Sequence, residues 1–255
     1  MTHTPQYLYL NFYLYTTRFL VLLSIFIGFQ VSSQMEYPHL YLLPGQGGDQ
    51  RLFEQLDLSD FEYTIINYSD TIPEKGESLV EYASRIAVAI DTTRSFALLG
   101  VSFGGMLAVE ISEQLSPEKI VLISSAKNRT ELAGKFNFMR KVPFYKIIPG
   151  RLTIAMSHIG RPLFEPISRK NQSLFKSMIR AKDPRYLYRS IGMIVGWNRT
   201  QNAQTIYHIH GTKDHTIPLK KVKNPQVLEG ASHFAVYFRA NEITTLLKKE
   251  MRNHN

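Results

Sequence analysis

The chain has 255 residues, 44% hydrophobic and 20% charged, a balance that excludes disorder, collagen and coiled coil as its main state. It has no cysteine, so disulfides, thiolate metal sites, iron–sulfur clusters and a cysteine nucleophile are excluded. The net charge of +9 is unevenly placed: Lys127 to Arg199 carries +13 and the remainder −4, which marks an internal basic segment with its own surface role.

Residues 1–34 read as a leader outside the fold, with one Arg, no Lys and no acid. Phe19 to Phe29 is apolar apart from Ser24 and Gly28. This run is shorter than the roughly 20 residues that span a bilayer. The favoured expectation is a mis-called start, with Met35 as the true first residue of a cytoplasmic protein. The alternative is export by a signal peptide cleaved near Val31-Ser32-Ser33, or a membrane anchor through residues 7–33.

From Pro38 onward, short apolar strands alternate with amphipathic stretches. Strands are expected at His39–Leu43, Tyr63–Asn67, Ser95–Leu99, Lys119–Ser124, Thr205–His210 and Gln226–Glu229. Helices are expected at Ser78–Ile90, Gly104–Leu115 and Phe234–Met251. This order predicts an α/β fold with a mostly parallel sheet of about six strands and helices on both faces. Residues 35–125 and 203–255 form the core. Residues 126–202 form a basic helical cap inserted after the fourth strand, with helical fragments at Glu131–Lys141, Gln172–Lys182 and Tyr186–Val195 broken at prolines that include Pro184.

The chemistry is carried by four loops. Gly100-Val101-Ser102-Phe103-Gly104 lies between a strand and a helix, so Ser102 sits on a tight turn that exposes its hydroxyl above the sheet. A serine nucleophile needs a base, and the base needs an orienting acid. Asp214 follows the fifth strand and His233 follows the sixth. In a parallel sheet these loops share one edge, so Ser102, Asp214 and His233 can converge in the chain order Ser, Asp, His. The loop Pro44-Gly45-Gln46-Gly47-Gly48 follows the first strand, and the backbone N–H groups of Gln46 and Phe103 are the expected oxyanion donors.

These four segments resemble the α/β-hydrolase superfamily, specifically a serine esterase or lipase-like branch with a helical cap, over about 85% of the chain. The resemblance implies that fold, triad hydrolysis without a cofactor, and a cap after the strand that follows the nucleophile helix. Two departures stand out. The family's two leading antiparallel strands are missing, and the oxyanion loop begins Pro44-Gly45 where many members have His-Gly.

The expected activity is a serine hydrolase acting through an acyl-enzyme on a carboxylic ester or thioester. The alternatives are an acyltransferase with the same triad, or a non-catalytic ligand-binding member of the fold. A metal site is not expected: three residues separate His210 from Asp214, where the His-x-His-x-Asp-His pattern has one. The basic cap suggests attraction to an anionic membrane surface or an acidic partner. No nucleic-acid-binding motif is present. The apolar side of the cap (Phe136, Phe138, Met139, Phe144, Ile147, Ile148, Met178, Ile194 and Trp197) is a candidate lining for an acyl pocket. Asn67, Asn128, Asn171 and Asn198 begin glycosylation sequons, which matter only in a secretory pathway.

Overall fold

The computed structural model describes residues 37–143 and 169–253. The expected leader, residues 1–34, lies outside the described residues, as does the middle of the basic segment. Six strands make one sheet: β1 (His39–Leu43), β2 (Tyr63–Ile65), β3 (Phe96–Val101), β4 (Lys119–Ile123), β5 (Tyr207–Gly211) and β6 (Gln226–Leu228). Their order is β2-β1-β3-β4-β5-β6, and every pairing is parallel. Every C-terminal strand end therefore lies along one edge.

Among the described residues the α-helices are α1 (Leu79–Ala87), α2 (Phe103–Ser112), α3 (Gly134–Lys141), α4 (Arg169–Arg180), α5 (Pro184–Gly196), α6 (Ala235–Phe238) and α7 (Ala240–Arg252). All residues of β1 and β3 are buried, as a strand covered on both faces requires. Alternate residues point to opposite layers. Leu43, Leu98 and Leu122 pack with residues of α1 and α2, while Leu42, Leu99 and Ile123 pack with residues of α6 and α7. Leu98 has no exposed surface, and truncating such a side chain to alanine costs about 2–5 kcal/mol. Every residue of α2 is buried, so the helix after Ser102 is held on all sides.

Local chemistry sets the element ends. Ser78 caps α1 by accepting from the Glu81 N–H, and the Glu81 carboxylate accepts from the Ser78 N–H in return. Pro184 stands at the expected break, between the end of α4 and the start of α5. It opens α5, where a missing N–H is harmless, and Asp183 caps it. The expected single C-terminal helix is two, α6 and α7, separated by Arg239 at φ −121° and ψ 34°. The Arg239 guanidinium donates to the Glu229 carbonyl at 2.8 Å and pairs with Glu242. It thereby anchors the break to the loop after β6. The apolar stripe runs on across the break, so its periodicity does not reveal it.

The segment between β4 and β5 carries α3, α4 and α5, with no strand among its described residues. Its far end is fastened to α2 by Glu110, which is buried and accepts from Arg199 through both oxygens and from Trp197 Nε1. Among the described residues, no helix is long and apolar enough to cross a membrane.

Candidate active site

The site begins where β3 becomes α2. Ser102 has φ 52° and ψ −119°, a region that residues with a side chain rarely adopt. The turn is this tight because its neighbours lack side chains. A Cβ on Gly104 would lie 2.2 Å from the Leu43 carbonyl oxygen, and one on Gly100 would lie 2.4 Å from the Gly105 Cα. The Ser102 N–H donates to the Ile123 carbonyl, and the Ser102 carbonyl accepts from Gly105 N–H and from Ser125 Oγ. The strained residue is thus fixed to β4 and to the first turn of α2.

His233 reaches this turn from the loop after β6. Its Nε2 lies 2.9 Å from Ser102 Oγ and its Nδ1 lies 2.8 Å from Asp214 Oδ2. Asp214 is almost fully buried in the loop after β5. Its Oδ1 accepts from the N–H groups of Thr216 and Ile217, at 2.9 and 2.8 Å. Burial alone would raise the Asp214 pKa. The hydrogen bonds from His233, Thr216 and Ile217, with the neighbouring imidazoles of His233 and His210, outweigh burial and hold the carboxyl below its ordinary value. The structure therefore brings Ser102, His233 and Asp214 into one hydrogen-bonded row, with a carboxylate at its inner end.

The two expected oxyanion donors flank Ser102. Phe103 is the first residue of α2, so its N–H has no acceptor within the helix. Gln46 lies in the loop after β1, which presses against the elbow: a Cβ on Gly45 would stand 3.3 Å from the Ser102 Cβ. The side chain of Gln46 has a task that the sequence does not reveal. Its Nε2 donates to Ser190 Oγ at 2.6 Å and to the Leu187 carbonyl at 3.1 Å, both on α5. From below, buried Tyr68 donates a short hydrogen bond to the Pro44 carbonyl. Burial raises the Tyr68 pKa well above its ordinary value, so the phenol keeps its proton.

Ser102 and His233 open into a cavity of about 400 Å³. Of the apolar residues expected there, Phe136, Met139 and Met178 line it, and Phe144, Ile147 and Ile148 lie outside the described residues. Phe138 is instead exposed, and Ile194 and Trp197 are buried in the core between α5 and the sheet. Phe175, Ile191 and Phe234 complete much of the apolar wall, with Leu52 from the β1 side. Phe175 and Ile191 sit on helical stripes, but a stripe alone does not distinguish a cavity wall from a packing face. Among the described residues, no group of three His, Asp or Glu side chains is placed to hold a metal ion. His208 and His210 are both buried in β5.

Comparison with solved structures places this architecture. The chain is similar to a hydrolase from Pseudomonas aeruginosa PA01, with 14% identity over 86% of this chain and 91% of the other, at a TM-score of 0.65. It is also similar to a thermophilic esterase from Thermogutta terrifontis, with 13% identity over 84% and 89% of the two chains and a TM-score of 0.62. A lipase-esterase related protein from Clostridium acetobutylicum ATCC 824 gives 15% identity over 83% and 93%, with a TM-score of 0.59. No protein-family model and no curated protein matches the sequence. The chain has the α/β-hydrolase fold, with a six-stranded, all-parallel sheet.

Proposed function

We propose that the protein is a serine hydrolase that cleaves a carboxylic ester or thioester through an acyl-enzyme. The observation that carries this reading is the row Ser102 Oγ, His233 Nε2, His233 Nδ1 and Asp214 Oδ2, with spacings of 2.9 and 2.8 Å at a strained serine. The esterases and the hydrolase that share this fold support the reading.

In this mechanism Ser102 Oγ attacks the carbonyl carbon while His233 Nε2 takes its proton. The Asp214 carboxylate holds the imidazole in the Nδ1–H tautomer and stabilises the imidazolium. The N–H groups of Phe103 and Gln46 receive the oxyanion, and the positive end of α2 adds to that field. Collapse expels the alcohol or thiol, which takes the proton from His233. Water, deprotonated by His233, then attacks the acyl carbon and releases the acid and Ser102. The apolar cavity beside Ser102 suits a small or medium acyl chain, and the helices between β4 and β5 act as a cap over it.

The test is hydrolysis of p-nitrophenyl esters from acetate to decanoate by the full-length chain beside Ser102→Ala. Turnover that depends on Ser102, with an acyl-enzyme burst, is expected. A folded protein with neither turnover nor burst, on esters and on matching thioesters, would overturn the reading.

A further inference from the structure

Behind Asp214 lies a buried polar row that the proposed chemistry does not use. His210 Nε2 stands 2.7 Å from the Ile217 carbonyl oxygen and 3.3 Å from Asp214 Oδ2, the same oxygen that meets His233. His210 Nδ1 stands 3.2 Å from His208 Nε2. On its other side, His208 Nδ1 makes no hydrogen bond among the described residues and faces Glu131 Oε2 at 4.0 Å. The side chains of all three are fully buried. Glu131 in turn accepts from the N–H groups of Lys127 and Lys223, at the root of the segment that follows β4.

The partners fix the tautomers. A carbonyl oxygen only accepts, so His210 carries its proton on Nε2. Its Nδ1 is then an acceptor in the neutral ring, and His208 must donate from Nε2. Burial keeps both rings on the neutral side. The geometry has a consequence for the acid. Ile217 gives its N–H to Asp214 Oδ1 and its carbonyl to His210, so both peptide groups of Ile217 are used to close the 214–217 turn. That turn saturates Oδ1 and leaves Oδ2 aimed at His233.

We infer that His210 is a positioning residue: through Ile217, whose carbonyl sets its tautomer, it holds the turn that aims Asp214 at His233, and His208 donates to its Nδ1. This rests on the reading of Ser102, His233 and Asp214 as a triad. The groups facing His210 are Asp214 in the following loop, His208 on its own strand, His233 from the β6 loop, and Glu131 from the β4 side.

The experiment compares the full-length wild type with His210→Leu, His210→Gln and Ser102→Ala. A geometric slip of a catalytic group costs about 10²-fold in rate, so His210→Leu is expected to lose that much in kcat with KM changed less than about 3-fold. Its acid limb of kcat/KM should move to lower pH, because the imidazolium loses its aligned carboxylate. His210→Gln keeps a donor at the Nε2 position and should recover most of kcat and the original limb. A role in folding alone would lower the active-site count titrated with a fluorophosphonate while leaving the profile of the remaining sites unchanged, and that would overturn the inference. His210→Leu within about 2-fold of wild type would overturn it too. Wild type without Ser102-dependent turnover would remove the triad reading and this inference together. A measurement on the wild type covers the case in which His210→Leu does not fold. Nitrogen-15 spectra at pH 7 should show His210 protonated on Nε2 and bare on Nδ1, and the reverse tautomer or a doubly protonated ring would overturn the assignment.

Discussion

The two flanks of Ser102 are built by different means. On the elbow flank, main chain does the work. Gly100 and Gly104 let strand, helix and the β1 loop approach to distances that no side chain survives, and Ser102 is pinned by its own peptide groups. On the β1-loop flank, side chains do the work. Tyr68 holds the Pro44 carbonyl, and Gln46 ties the loop to Leu187 and Ser190 on α5. A flank set by backbone packing fails all at once when it is altered. A flank set by hydrogen bonds weakens by steps, because each net bond contributes only about 0.5–1.5 kcal/mol.

The largest expected effects fall on the elbow and the row that meets it. Ser102→Ala should lower turnover by about 10⁶-fold, the scale seen when a triad nucleophile is removed. It should leave the thermal midpoint near that of wild type, or higher, because alanine removes only the hydroxyl. Gly104→Val attacks the same flank through its packing. With the Leu43 and Pro44 carbonyl oxygens 2.2 and 2.3 Å from the new Cβ, it should give no folded protein at all, measured by circular dichroism and soluble yield. If Gly104→Val folds with normal cooperativity, the elbow is not the rigid flank. Asp214→Asn should come next, with a loss of about 10⁴-fold in kcat from the wrong imidazole tautomer and an intact near-ultraviolet spectrum.

The β1-loop flank should respond more mildly. Gln46→Ala keeps the backbone N–H and removes only the tie to α5. We expect kcat to fall by about 10-fold, the scale of the two modest hydrogen bonds it removes, with smaller changes in KM. Affinity for a boronic acid that mimics the tetrahedral intermediate should fall in step with kcat if, as proposed, the loop aims an oxyanion donor. Ser190→Ala, which leaves the Leu187 carbonyl as acceptor, should cost less than Gln46→Ala. An equal effect on substrate and intermediate analogue would place Gln46 in binding rather than in donor alignment.

The same contrast explains what was legible beforehand. The elbow, the acid and the base are each marked locally, by glycines beside Ser102 and by loops that follow apolar strands. A parallel sheet then gathers those loops at one edge, so the site could be read from the strand order. The strand positions are legible because β1, β3 and β4 are apolar runs after their first residue or throughout. The Gln46 tie was not legible, since its partners lie 141 and 144 positions away and nothing in a glutamine's neighbourhood names its acceptor. The break at Arg239 was hidden for a similar reason: it depends on a guanidinium reaching the Glu229 carbonyl, with no glycine or proline to announce it. The cavity wall was read only in part. Phe136 and Phe138 are two residues apart on α3, and only the first faces the cavity.

Acid should separate the two flanks, with the smallest effect of the set. The β1-loop ties use an amide, a serine hydroxyl and a phenol whose pKa burial raises, so nothing in them titrates between pH 5 and 8. The row behind Asp214, which meets the elbow through His233, contains His208 and His210, which burial holds below the ordinary histidine value of 6.5. The sign follows from linkage. Below that value the unfolded chain takes up protons that the folded rings refuse, so stability is fully present above it and falls as pH drops toward the folded values. Each ring contributes a slope of up to about 1.4 kcal/mol per pH unit in that window. Thermal midpoints measured from pH 7.5 to 5 should therefore fall more steeply in wild type than in His208→Gln, which has one such ring fewer. Gln46→Ala should run parallel to wild type. If His208→Gln keeps the wild-type slope, that ring accepts its proton in the folded state, and the difference between the flanks is one of geometry alone.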